Sequence, residues 1–223
     1  MLFSRYNSFF LEGIRNTIII ALFAVLIGTV FGVLMAMMRM SKIWPLKAIA
    51  TVYIEFIRGT PLMVQLMFIF YGLPMLGITF PEVSFIPNFS RFAAGIVAMS
   101  INSCAYVAEV IRSGIQAVDG GQMEAARSIG YSHTQAMLYV VLPQAIRNIL
   151  PALGNEFITV IKESSIVSVI GIADLMFRTN DVIAVTYRTL PSLAIAAVIY
   201  FCMTFAGSRL IAFTERKMSH GKQ

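Results

Sequence analysis

Long apolar stretches alternate with shorter polar segments along the whole chain. A helix needs about 20 mostly apolar residues to cross a bilayer, and five stretches meet that length. The first has no charged residue between Arg15 and Arg39, whereas the fourth is interrupted by several charges and by Pro151. The pattern predicts an all-α membrane protein with five transmembrane helices in a single domain over residues 1–223. We place the spans at about 16–39, 52–78, 92–111, 145–169 and 189–213.

Lysine and arginine residues follow the first, third and fifth spans, whereas residues 79–90, after the second span, contain neither. Loops rich in these two residues stay in the cytoplasm. We therefore expect the N-terminus outside and the C-terminus in the cytoplasm, an orientation that requires an odd number of spans. Four arginines count weakly against this orientation: Arg5, Arg15, Arg178 and Arg188.

The composition agrees with a membrane protein. Apolar residues make up 58% of the 223 residues and charged residues only 13%, whereas a soluble domain has about 45–50% and about 25%. These values exclude a cytosolic enzyme, a disordered tail and a nucleic-acid module. Cys104 and Cys202 lie inside apolar runs and are expected to be packed thiols. His133 and His220 have no partner at ligand spacing, so we expect no metal site and no cofactor.

The segment at about 119–142, between spans three and four, is polar and carries helix-start signals. Asp119 with Gln122 is a variant of the capping box, and Ser132 with Gln135 is a second one. Gly130 occupies the left-handed position that ends a helix. We predict two short cytoplasmic helices, about 120–129 and 133–142, joined at this glycine, with Pro143 near the end of the second. Such an elbow could dock another protein or lie on the lipid surface.

The same segment resembles the EAA signature of permease subunits in ATP-binding-cassette importers, through Glu124-Ala125-Ala126, Gly130 and Leu142-Pro143. Further segments resemble the histidine/glutamine/arginine permeases, which import polar amino acids: residues 55–62 with Gln65-Leu66, 105–112, 142–147 and 154–157. The resemblance extends from about residue 10 to 213. The departure from the family pattern is mild and lies at residues 162–165, where Lys-Glu-Ser-Ser replaces an acidic residue followed by Thr-Ser.

This resemblance implies a type I importer permease fold in the bacterial plasma (inner) membrane. Two permease subunits, identical or different, would pair with two ATPase subunits, and an extracytoplasmic binding protein would deliver an amino acid. The EAA segment would become the coupling helix that docks on the ATPase. The chain has no G-x-x-x-x-G-K phosphate loop, so a separate chain would bind and hydrolyse ATP.

Ionisable and polar residues at membrane depth are costly and usually face the bundle interior or a water-filled path. In span four, residues 155, 156, 159, 162 and 163 recur at helical spacing on one face. An amino acid needs acceptors for its ammonium group and donors for its carboxylate. We therefore predict a substrate pathway lined by Glu55, Asn102, Asn155, Glu156, Thr159 and Lys162.

Structural roles compete with this interpretation for several charges. Glu55 could pair with Arg58, Glu109 with Arg112, and Lys162 with Glu163. Gly28 and Gly32 could serve close helix packing within the subunit or across a dimer.

We predict the permease subunit of an ATP-driven importer of a polar or cationic amino acid, with no enzymatic activity of its own. The alternatives are an ion-coupled secondary transporter, which would usually need more spans and inverted repeats, and a structural membrane scaffold. The sequence leaves open which amino acid is carried.

Overall fold

A computed structural model describes residues 2–83 and 88–219, with the side chains of 218 and 219 excepted. The described residues form helices and connecting turns, with no strand among them. Three helical segments of the described part depart from α geometry: the π turns Phe68–Gly72 and Met137–Val141 and the 3-10 segment Ser164–Ile170. The α-helices are α1 Leu2–Arg5, α2 Asn7–Met40, α3 Trp44–Gly59, α4 Leu62–Met67, α5 Leu73–Met75, α6 Phe89–Gln116, α7 Gly120–Ser128, α8 His133–Ala136, α9 Leu142–Glu163, α10 Leu175–Thr186 and α11 Thr189–Ser219.

Four of the described helical segments are long and apolar enough to cross a membrane: Asn7–Met40, Phe89–Gln116, His133–Ile170 and Thr189–Lys217. A fifth span results if Trp44–Gly59 and Leu62–Met75 are counted together, and these two segments meet at an angle of 107°. The expected all-helical membrane fold is therefore confirmed. The break falls at Thr60 and Pro61, because proline cannot continue the hydrogen-bond ladder of a helix.

The second cytoplasmic helix does not end near Pro143, which corrects the sequence-based expectation. The helical path that starts at His133 continues through Pro143 into α9 and on to Ile170. The π turn Met137–Val141 ends two residues before the proline, and the amide of Leu142 donates to the carbonyl of Met137, five residues back. This wider turn accommodates a residue that lacks an N–H and would crowd the carbonyl four residues before it.

The most extensive helix packing is between α2 and α6. A Cβ atom placed on Gly28 would lie 2.9 Å from Cβ of Ser103, and one on Gly32 would lie 2.8 Å from Cγ1 of Val107. Real Cβ atoms do not come this close to a neighbour, so these two glycines permit the two backbones to approach. They serve packing within the subunit.

The apolar core lies where α2, α4, α6 and α9 meet. Ile20, Leu66 and Met99 are at its centre with Val160 and Val167. By contrast, much of the apolar surface of α2 and α11 is exposed in the isolated chain, as at Val30, Phe201 and Phe213. In a membrane such a surface faces lipid or another spanning subunit.

Topology can be tested with single cysteines in a variant that lacks Cys104 and Cys202. Thr79 and Thr134 are both exposed. Thr79 lies between α5 and α6, and Thr134 lies in α8. We expect a membrane-impermeant thiol reagent added outside intact cells to label Thr79→Cys and not Thr134→Cys, because Lys and Arg keep their loops inside. Labelling after permeabilisation is the control for reactivity. Labelling of Thr134→Cys alone in intact cells would reverse the proposed orientation.

Candidate functional site

The elbow between α6 and α9 has well-defined caps at each helix end. The carboxylate of Asp119 accepts the amide of Gly121 at 2.7 Å and so begins α7. Gln122 does not complete a capping box there, because its side chain accepts the amide of Gln144 at 3.1 Å. The second predicted box is confirmed, since Ser132 and Gln135 exchange side-chain and backbone hydrogen bonds.

Gly130 ends α7 in the left-handed conformation that the sequence predicted, with φ of +100°. Its amide donates to the carbonyl of Arg127 at 3.1 Å, and the amide of Tyr131 donates to the carbonyl of Ala126 at 3.2 Å. These two bonds form a Schellman motif, which satisfies carbonyls at the helix end. Both bonds run back to α7, so they determine the direction in which the chain leaves that helix at Gly130.

The outward surface of the elbow is suited to contact with another protein. Glu124 and Ala125 are exposed, while Ala126 is buried against the chain itself. Ile129 is 78% exposed at the end of α7. Leu142 and Pro143 lie in the following helix, the first half-buried and the second exposed. Ile129 and Ala125 therefore form a small exposed apolar surface, with the carboxylate of Glu124 at its edge.

An ion-pair network ties together α2, α3 and α6 near the end of α6 that leads to α7. Arg39 contacts Glu55 at 2.7 Å and Glu109 at 2.9 Å. Glu109 also pairs with Arg112, as the sequence suggested. The alternative pairing of Glu55 with Arg58 is not observed: the Arg58 guanidinium lies over the ring of Tyr106 instead, 5.5 Å from its centroid. The structure therefore places Glu55 in this network, apart from the polar face of span four.

Asn102 is buried within the subunit, and its side-chain amide donates to Oε1 of Gln65 at 3.0 Å. Sequence reasoning included Gln65 only as part of a family motif. The partner could not be found from spacing, since 37 residues separate the two side chains.

The predicted polar face of span four is divided in the structure. Glu156 lies on the inner side of α9, and its Oε1 accepts the hydroxyl of Ser103 on α6 at 3.2 Å. Asn155 and Lys162 are exposed, and Thr159 is half-buried. The hydroxyl of Thr159 donates to the carbonyl of Asn155 at 3.1 Å.

An open cavity of about 530 Å³ lies along the exposed part of α9. Thr159, Lys162 and Glu163 contribute a hydroxyl, an ammonium and a carboxylate to its lining. Leu62, the first residue of α4, forms part of another wall. The cavity thus offers donors and acceptors of both charge signs beside apolar surface, a combination that suits a zwitterion.

A second ion-pair cluster, which sequence reasoning missed, lies at the start of α2, at the opposite end of that helix from the Arg39 network. Arg178 pairs with Glu12 at 2.6 Å and with Asp181 at 2.9 Å. The amide of Asn16 donates to the carbonyl of Ala173 at 2.8 Å. These contacts attach α10 to the start of α2. No cluster of histidine, cysteine or carboxylate side chains among the described residues could hold a metal ion.

The chain is similar to several proteins of known type. Residues 28–220 match the family model described as the binding-protein-dependent transport system inner membrane component. The arginine transport system permease protein ArtQ of Bacillus subtilis is 41% identical over 94% of this chain and 92% of its own length. The probable glutamine ABC transporter permease protein GlnM of Bacillus subtilis is 36% identical over 98% of this chain and 96% of its own.

Solved structures give the same result for the fold. A crystal structure of an amino acid ABC transporter with histidines contains a chain that is 51% identical, with a TM-score of 0.89 and 96% of each chain covered. The MetNI methionine ABC transporter in an inward-facing conformation matches with a TM-score of 0.64 at 20% identity, over 91% of this chain and 93% of that one.

These similarities decide between the three classes of function raised by the sequence. The relatives are permease subunits of ABC importers, whose ATP is hydrolysed by separate subunits and whose substrates arrive on binding proteins. A secondary transporter and a structural scaffold are thereby excluded. The chain belongs to the family of binding-protein-dependent transport system inner membrane components, and it is a multi-pass permease subunit of the bacterial inner membrane.

Proposed function

We propose that this chain forms the translocation pathway of an importer for a polar or cationic amino acid. The names of its relatives support this substrate class, since they include an arginine permease, a probable glutamine permease and the octopine permease OccM of Rhizobium radiobacter. The cavity beside α9 supports it independently, because Lys162 and Glu163 present both charge signs at the end of a spanning helix.

The observation that carries the proposal is the exposure of Asn155, Lys162 and Glu163 on a membrane-spanning helix. Charged side chains facing lipid are costly, so such a face lies against another subunit or a water-filled path. We place a second permease subunit, identical or different, opposite this face. The pathway would then run between the two subunits, with Thr159 and Lys162 on its wall and Glu156 behind them. Glu55 and Asn102 lie away from this face and are not included.

The elbow is the proposed contact with the ATPase. Its exposed Ile129 and Ala125 offer apolar surface, and Glu124 adds a charge at the edge. A helix that merely lay on lipid would not need a fixed angle, whereas the elbow is capped at both helix ends.

Co-purification and transport together test this function. The chain, its ATPase and its binding protein are to be reconstituted in liposomes with ATP inside. We expect uptake of radiolabelled arginine, histidine or glutamine that depends on both partners and on ATP. Leucine serves as the apolar comparison. Purification of the chain without any ATPase subunit, together with absence of ATP-dependent uptake, would contradict the proposal.

Replacing Gly130 tests the elbow. Proline fixes φ near −65° and cannot adopt the positive φ at this position, and it would also remove the hydrogen bond from Gly130 to Arg127. We expect Gly130→Pro to reduce uptake and stimulated ATP hydrolysis together by about tenfold or more, since about 1.4 kcal/mol corresponds to a factor of ten. Membrane insertion should be normal.

Two alanine variants separate backbone conformation from bulk. No atom lies within 4 Å of a Cβ placed on Gly130 or on Gly120, but only Gly130 has a positive φ. We therefore expect Gly130→Ala to impair coupling measurably through strain alone, while Gly120→Ala transports like the parent. Equal activity of Gly130→Pro and the parent, at equal assembly, would show that the elbow does not transmit the ATPase cycle.

Replacing Glu156 with glutamine tests whether its charge serves the substrate. Glutamine keeps the side-chain oxygen that accepts the Ser103 hydroxyl, so this internal hydrogen bond survives while the charge is lost. We expect uptake to fall about tenfold or more, which corresponds to about 1.4 kcal/mol, because a carboxylate directly behind the pathway wall would attract the ammonium group of the substrate. Assembly with the ATPase should be unchanged.

The companion variant is Ser103→Ala, which removes the internal bond and keeps the carboxylate. We expect it to transport much better than Glu156→Gln. If the order is reversed, or if Glu156→Gln has the parent's uptake rate and substrate affinity, Glu156 has a structural role.

A further inference from the structure

The break between α3 and α4 leaves backbone carbonyls without helical partners. The last carbonyls of any helix lack intrahelical donors, and Pro61 has no N–H to contribute. Within a bilayer no water replaces those donors. The carbonyls of Ile57 and Thr60 at the end of α3 therefore need a donor from a side chain.

Gln65, in the first turns of α4, supplies that donor. Its Nε2 lies 2.8 Å from the carbonyl oxygen of Ile57, 3.1 Å from that of Thr60 and 2.9 Å from the Thr60 hydroxyl. The hydroxyl of Thr60 in turn donates to the carbonyl of Phe56 at 2.9 Å. An amide nitrogen has two N–H groups, so three acceptors share two donors. One side chain thus bridges the bend from its second arm back to its first.

Asn102 on α6 fixes the orientation of that side chain. It donates to Oε1 of Gln65 at 3.0 Å, and both residues are buried, with 8% and 6% of their surface exposed. Because the oxygen of Gln65 is occupied by Asn102, the nitrogen faces the bend. The pair therefore connects the bend of span two to the third span.

The bend in turn positions one wall of the cavity beside α9. Leu62 is the first residue after the break and lines that cavity with Thr159 and Lys162. A change in the angle of 107° between the two arms would move Leu62 relative to the polar face of α9.

We propose that Gln65 and Asn102 are positioning residues for transport: their amide pair holds the bend of span two and so places Leu62 against the polar face of α9, and neither side chain touches the substrate. The link to transport rests on the proposed function, whereas the link to the bend does not. The proposal also replaces the expectation that Asn102 lines the substrate pathway.

A double-mutant cycle in the reconstituted complex is the first test. Gln65→Met and Asn102→Leu replace each amide by an apolar side chain of similar size. We expect each single variant to raise the apparent KM for uptake at least fivefold, because each leaves the other amide unpaired. The double variant should be no worse than Gln65→Met, since the two residues act through one contact.

Gln65→Glu provides a readout that a packing defect would not give. A protonated glutamic acid can donate a hydrogen bond to the bend and accept one from Asn102. An ionised carboxylate has no hydrogen to donate and would be repelled by the carbonyl oxygens of the bend. Desolvation disfavours the charged form of the introduced carboxyl, so acidification should protonate it and let it take over the amide's contacts. Uptake relative to the parent should therefore rise at least about threefold between about pH 8 and about pH 6. Gln65→Met should show no such recovery.

The bend itself can be measured without any substrate. Spin labels on Val52→Cys in α3 and Met75→Cys in α5, both exposed positions, report the distance between the arms in subunits lacking Cys104 and Cys202 and diluted with unlabelled subunits. We expect Gln65→Met to broaden or shift this distance distribution. Val64→Ala, an exposed neighbour on α4, should match the parent in distance and in KM.

Three results would overturn the proposal: an unchanged distance distribution in Gln65→Met, a KM within twofold of the parent in that variant, or multiplied defects in the double variant. Multiplied defects would mean that Asn102 acts on the substrate by itself. A parent complex that imports no amino acid would contradict the proposed function, and the distance measurement would still decide whether the amide pair holds the bend.

Discussion

The need to satisfy backbone hydrogen bonds without water shapes this protein more than any other constraint. In hydrocarbon an unpaired amide or carbonyl costs several kcal/mol, so the chain crosses the bilayer as helices. At two prolines of the described residues, another group compensates for the hydrogen bond that the proline cannot make. At Pro61 the replacement is the side chain of Gln65, and before Pro143 it is a π turn.

Close packing of α2 on α6 is the second determinant of the arrangement. Gly28 and Gly32 have no side chain where α2 faces Ser103 and Val107 of α6, so α6 can lie against α2 and against α9 together. This brings Ser103 of α6 to Glu156 of α9. The inner side of the polar helix is thus occupied by the subunit itself, and its other side is left for a partner.

Features determined by neighbouring residues were predictable, and features determined by distant ones were not. The left-handed Gly130 and the capping box at Ser132 depend on three or four residues, and the sequence predicted both correctly. The all-helical membrane fold followed from the apolar stretches, since four described segments, or five with the bent pair, are long and apolar enough to cross a membrane. The partner of Glu55 is Arg39 on another helix, and helical spacing carries no information about that pairing. Helical spacing also assigned Glu156 and Lys162 to one polar face. The two residues point in different directions around α9, because Glu156 faces Ser103 of α6 whereas Lys162 is exposed.

The unbroken helical path from His133 to Ile170 has a mechanical consequence. At 1.5 Å per residue its 38 residues are about 57 Å long. A rigid rod of that length that tilts by about 10° about its midpoint moves each end by about 5 Å, close to one helical turn. The elbow sits at one end of this rod, and Lys162 and Glu163 lie in its other half, about midway between the midpoint and Ile170. If the path tilts as one body, a displacement of the elbow would therefore reach Lys162 and Glu163 in the opposite direction and at about half its size, because these residues lie about 16 Å from the midpoint.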